Sequence, residues 1–129
     1  MKLRQTMCAV LLSGAAIFGF ACGDDKEEEE GSSTGATCDS SLTYEKDIKP
    51  IMSAYCTSCH AVSVMGAARV GAPSDHNFDT EKGILAELEH VESESAGGPD
   101  AINKEMPPAG LKAPTDEERK KLGAWIACQ

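Results

Sequence analysis

Apolar residues along this chain fall into one unbroken run near the N-terminus and three spaced stripes further on. The run, CAVLLSGAAIFGFA from Cys8 to Ala21, has 14 residues, too short to cross a hydrocarbon core of about 30 Å as a helix. The first stripe lies in YEKDIKPIMSAYC, where Ile48, Ile51, Met52 and Tyr55 stand at i, i+3, i+4 and i+7 and so share one helical face. Pro50 would cost about 3 kcal/mol in a helix interior, so the regular part is expected to begin there with Pro50 in its first turn. The second stripe, in TEKGILAELEHVESES, predicts one helix with Thr80 as N-cap and Ile84, Leu85, Leu88 and Val91 facing inward. The third, in TDEERKKLGAWIAC, opens with a capping box from Thr115 to Glu118 and buries Leu122, Trp125 and Ile126. No segment alternates with the period of two that a half-buried strand requires, so the fold class is predicted to be all-α.

The N-terminal run follows Lys2 and Arg4, and a short apolar stretch behind a positive start reads as a secretory signal over residues 1–21. It ends in GFACG. With Ala21 before Cys22, and Gly19 where leucine is usual, this resembles the lipobox of bacterial lipoproteins. The resemblance implies cleavage before Cys22, acylation of Cys22 and an exported protein tethered to a membrane, facing the periplasm or the cell exterior. Stable anchoring takes more than one acyl chain, and lipoproteins of this kind carry several.

Residues 23–37, GDDKEEEEGSSTGAT, hold six acidic residues and one lysine. Such a segment buries too little apolar surface to offset its ordering entropy, and like charges extend it. Residues 22–37 are thus expected to form a disordered linker, able to carry a domain over residues 38–129 up to about 50 Å from the membrane. The whole chain has 129 residues and a formal charge of −9. Without Lys2 and Arg4 it retains ten basic against 21 acidic residues, a net charge of −11. That balance disfavours nucleic acid, whose phosphates are neutralised by Lys and Arg, and favours a protein partner with a basic docking surface.

A domain of roughly 90 residues is marginal without a staple or a cofactor. Residues 56–60, CTSCH, supply a candidate for both roles. Two thiols three apart suit a disulfide, half a zinc site or a thiol redox centre, but His60 directly after Cys59 makes the c-type haem attachment signature. Cys56 and Cys59 would bond the porphyrin vinyl groups, and His60 would lie under the iron as proximal ligand. With Cys8 in the signal, Cys22 lipidated and Cys56 and Cys59 on haem, only Cys38 and Cys128 remain. In an oxidising compartment that pair is expected to form a disulfide.

The order of helix, CTSCH, long irregular stretch, MPPAG and capped helix ending in AWIAC resembles the small monohaem class I cytochromes c, over about residues 42–128. The family's first and last helices cross, which implies that Ile48, Ile51 and Met52 lie near Trp125 and Ile126. It also implies a sixth iron ligand, for which Met52, Met65, His76, His90 and Met106 are the candidates. Met106, 46 residues after His60 and stiffened by Pro107 and Pro108, matches the family's distal methionine. Arg69, Tyr55 and Trp125 are open as partners of the haem propionates. With His60 and Met106 both on iron, no position is free for substrate, so the resemblance implies an electron carrier rather than an enzyme. Two other functions stay open: a haem enzyme or a sensor of peroxide, NO or CO with a displaceable Met106, and a thiol or metal protein with free Cys56 and Cys59.

Overall fold

The computed structural model describes residues 32–129. The expected signal peptide, the lipid-attachment residue Cys22 and the acidic start of the linker lie outside the described residues. Among those described, every regular element is helical; the extended pairing is an isolated bridge between Gly97 and Ile102. A π-helical segment, Tyr44–Ile48, leads into α1 at Lys49–Tyr55. A 3₁₀ turn, Gly66–Arg69, interrupts a long loop, and α2 (Glu81–Ala86), α3 (Leu88–Ser95) and α4 (Asp116–Ile126) follow.

The first helical segment starts at Tyr44, six residues before the expected Pro50. A proline ring clashes with the carbonyl four residues back, and a π turn opens the backbone at that point. Lys49 N–H accordingly bonds Tyr44 O, and the α-helix proper begins with Pro50 in its first turn. Asp47 secures the entry by accepting from Thr43 N at 2.9 Å.

The single helix expected over residues 80–95 is two. Thr80 caps α2 by accepting from Gly83 N at 3.1 Å, as predicted, but Glu87 at φ −128°, ψ 33° breaks the run. The break turns Leu85 outward, 42 % exposed, while Ile84 and Val91 are buried and Leu88 packs at the core's edge. Gly83 is required at the start of α2, because a Cβ there would fall on the Asn77 carbonyl oxygen.

α4 follows the sequence closely. Thr115 and Glu118 form the capping box in both directions, and Leu122, Trp125 and Ile126 are buried. They share one cluster with Tyr44, Ile48, Met52, Phe78, Ile84, Val91 and Ala96, with the Tyr44 and Trp125 rings 6.4 Å apart. Ile51 is buried outside this cluster. Cys38 and Cys128 are disulfide-bonded across a sequence separation of 90.

Residues 32–37, expected in the disordered linker, are packed. Thr34 is fully buried, its carbonyl accepts from Asp100 N, and its hydroxyl and that of Ser32 surround the Glu92 carboxylate. Short hydroxyl side chains can bond a buried carboxylate where the flanking charged run could not. The folded part therefore begins by residue 32, not at Cys38.

Candidate functional site

The end of α1 delivers Cys56, Cys59 and His60 to the wall of a narrow, largely apolar cleft. The tight turn that holds them is made by backbone bonds from Cys59 N and His60 N to Cys56 O. Met52 and Tyr55 of α1, Phe78, His90, Val91, Glu94 and Ser95 also line it, and Met106 to Pro108 with Leu111 supply a further wall. All four residues singled out from the sequence for cofactor binding thus face one cavity. Met106 is held by its N–H on Glu94 O at 3.0 Å, across a cis bond to Pro107.

His60 is fixed on three sides. Its Nδ1 lies 3.1 Å from the carbonyl oxygen of His76. A carbonyl only accepts, so Nδ1 carries the proton and Nε2 presents a lone pair. That is how a metal-ligating imidazole is held, its second nitrogen donating to a backbone acceptor. The Phe78 ring stacks on the imidazole with centroids 4.6 Å apart and planes 17° apart. Phe78 N–H in turn donates to His60 O at 2.7 Å, closing the loop between them. Burial holds the His60 pKa below its ordinary value; the hydrogen bond to His76 opposes this and the nearby Arg69 cation adds to it. The neutral, ligating form is favoured.

Burial also pushes the Cys56 thiol up to about 11. A nucleophilic or redox thiol needs a lowered pKa, so the environment of Cys56 runs against thiol exchange. Cys56 and Cys59 are free thiols rather than a disulfide. Nor do three side chains of the His, Cys, Asp and Glu set converge on a point among the described residues, as a zinc site requires. Two thiols, an imidazole with a free Nε2 and a thioether around one largely apolar cavity are instead the donor set that suits iron in a thioether-linked porphyrin.

The other ligand candidates separate clearly. Met52 is 1 % exposed and belongs to the core as well as to the cleft floor. Met65 is 77 % exposed and lies away from the cleft. His76 sits on the His60 side, with ring centroids 6.4 Å apart and Nε2 3.4 Å from a Glu87 carboxylate oxygen; its Nδ1 is buried without a partner. His90 is exposed, but it borders the cleft and packs edge-on against His76 at 4.7 Å.

Of the three residues considered for propionates, Tyr55 donates to both oxygens of Glu118 at 3.1 and 3.2 Å, and Trp125 is in the core. Arg69 is 6 % exposed, and its three nitrogens face six acceptors, all within the loop it belongs to. Five N–H groups facing six acceptors leave none to spare. Sequence reasoning also missed Phe78 and the His76 carbonyl, whose only local signal is their place in the loop HNFDT after the motif.

No protein family, curated protein or solved structure matches the chain.

Proposed function

We propose that this protein is a one-electron carrier with a cytochrome c-like fold, built on a single haem bonded to Cys56 and Cys59 with His60 and Met106 as axial ligands. The observation that carries the reading is the state of His60: Nδ1 is committed to a carbonyl and Nε2 is free, in a cavity shared with both thiols and Met106. Bound there, the haem would supply a one-electron iron couple.

The chain's own residues define the rest. Met52, Phe78, Val91 and Leu111 line the cavity with apolar surface, which keeps water out and favours the less charged state of a bound redox group. The Met106 thioether donates weakly to oxidised iron and raises the potential relative to a second histidine. With His60 and Met106 both holding the iron, no position would be left for substrate, and both side chains would stay in place on reduction. A net charge of −11 in the exported form selects partners that present a basic surface, chiefly through the association rate. Lipid attachment at Cys22 would hold the carrier at a membrane surface, on the outer side.

The test is expression with c-type maturation machinery, followed by haem staining after denaturing electrophoresis and by optical spectra. Covalent stain that is lost in Cys56→Ser, a ferric methionine-to-iron band near the red edge and a reduced spectrum unmoved by CO are the expected results. An unstained chain would refute the haem reading. A stained chain without the band that binds CO readily would replace electron transfer with peroxide or gas chemistry at an open iron.

A further inference from the structure

The loop between His60 and Phe78 is organised around a buried cation that has no carboxylate partner among the described residues. Arg69 Nε donates to Ala72 O at 3.1 Å, Nη1 to Ala61 O, Val64 O and Asn77 Oδ1 at 3.1 to 3.2 Å, and Nη2 to Pro73 O and to His76 O, the last at 2.8 Å. The His76 oxygen is the same one that accepts from His60 Nδ1 at 3.1 Å. Burying a guanidinium against neutral carbonyls alone is costly, and a loop that only needed stapling has cheaper means in hydroxyl and amide side chains.

We infer that Arg69 is a positioning residue for His60, acting through the shared carbonyl of His76 to fix the imidazole and to weaken its donation to iron. The inference rests on the haem reading of the same cavity. Two effects run in one direction. The guanidinium draws electron density from the carbonyl oxygen, making it a poorer acceptor for His60 Nδ1–H, so the imidazole keeps less imidazolate character. The fixed positive charge also disfavours the iron state of higher charge, and it acts strongly in a buried setting. Both shift the couple towards the reduced form.

The experiment uses the full chain with haem attached, as wild type, Arg69→Gln and Arg69→Lys. In Arg69→Gln the ratio of oxidised to reduced protein at a fixed ambient potential is expected to rise about tenfold, which for a one-electron couple is a lowering of 59 mV. Arg69→Lys keeps the cation without the fork and is expected to recover most of that shift. A second readout is the nitrogen-15 resonance pair of the His60 ring in the same chain made without haem maturation. There the Nδ1–H tautomer should dominate in wild type and give way to a mixture in both variants, since the His76 carbonyl, though a stronger acceptor once freed of the guanidinium, is no longer held against the ring. A folded Arg69→Gln protein with wild-type ratio and tautomer would overturn the inference and leave Arg69 as a loop staple. If Arg69→Gln does not fold, an Arg69→Lys protein with a wild-type ring spectrum overturns it equally. Absence of haem from every version, wild type included, would instead refute the proposed function, and the ring resonances would still decide the role of Arg69.

Discussion

Phe78 joins the hydrophobic core to the candidate site, and shortening it should register in both. The side chain is 6 % exposed, belongs to the same cluster as Ile84 and Val91, and stacks on His60 at 4.6 Å. Truncating so buried a ring removes its transfer free energy and leaves a cavity, about 3 to 5 kcal/mol for Phe78→Ala. Leucine restores most of the volume, at a cost under about 1.5 kcal/mol for the repacking. It does not restore the aromatic contact, about 0.5 to 1.5 kcal/mol, so Phe78→Leu should cost about 1 to 2 kcal/mol. A domain of this size has on the order of 5 to 15 kcal/mol to lose, so the alanine variant should lose from about a fifth of its stability to all of it. Urea unfolding of the chain expressed with c-type maturation machinery, followed by far-ultraviolet circular dichroism, measures both through the shift in midpoint at constant slope. If Phe78→Ala cost less than about 1 kcal/mol, Phe78 would not be the packed wall described here. A Phe78→Leu variant as stable as wild type would show that stacking on His60 contributes nothing.

Three further outcomes are expected. Glu118→Ala removes the reciprocal half of the α4 cap, in which the carboxylate accepts from Thr115 N at 2.7 Å; it should cost about 0.5 to 2 kcal/mol at pH 7 by urea titration. That backbone bond holds the Glu118 carboxyl below its ordinary pKa. The folded state therefore binds fewer protons, the stabilisation is complete above the unfolded carboxyl's pKa, and the gap between wild type and variant should close as pH falls through the folded value. Replacing Cys38 and Cys128 together by serine should cost about 4.5 kcal/mol in the chain-entropy description for a loop spanning 90 residues of separation, and a loss under about 1 kcal/mol would contradict it. In the chain made without haem maturation, Cys56, with its thiol at about 11, should alkylate at pH 8 roughly 200-fold more slowly than an open thiol and become ordinary in denaturant; equal rates in the two conditions would contradict the burial described.

What the sequence made legible was local. The Thr115 capping box and the Leu122, Trp125, Ile126 stripe involve residues within a few turns of one another, and α4 forms as they require. CTSCH is a five-residue signal, and Cys38 and Cys128 were paired by having no other role. The π turn before Pro50 was hidden because propensity says where a proline is unwelcome, not how the backbone opens around it. The break at Glu87 depends on how α2 and α3 each meet the core, which a continuous i, i+3, i+4 stripe does not encode. The packing of residues 32–37 depends on Glu92, some 58 positions away, and composition alone placed them with the charged run. Arg69 read as a candidate propionate partner because nothing in GAARVG announces six acceptors, five of them backbone carbonyls, folded around it.

The two walls of the cleft are held by unlike means, and this bears on how a bound group would behave. The His60 wall combines a stacked ring, a carbonyl shared with a buried cation and a closed loop from His60 O to Phe78 N. The Met106 wall has a single backbone bond to another element, Met106 N to Glu94 O, and one within its own loop, Leu111 N to Pro108 O, with Pro107 buried behind it and Pro108 to Ala113 exposed. Local opening free energies track such differences, being lowest where backbone is exposed and contacts are few. Under the proposed reading the covalent, proximal side is therefore the rigid one, and any exchange of axial ligand would occur at Met106. His90, exposed at the edge of the same cleft, is the side chain placed to be nearest in chemistry to a replacement. Since a second histidine in place of methionine lowers the potential, under the proposed reading the strength of the Met106 wall is what would keep the carrier at the upper end of its range.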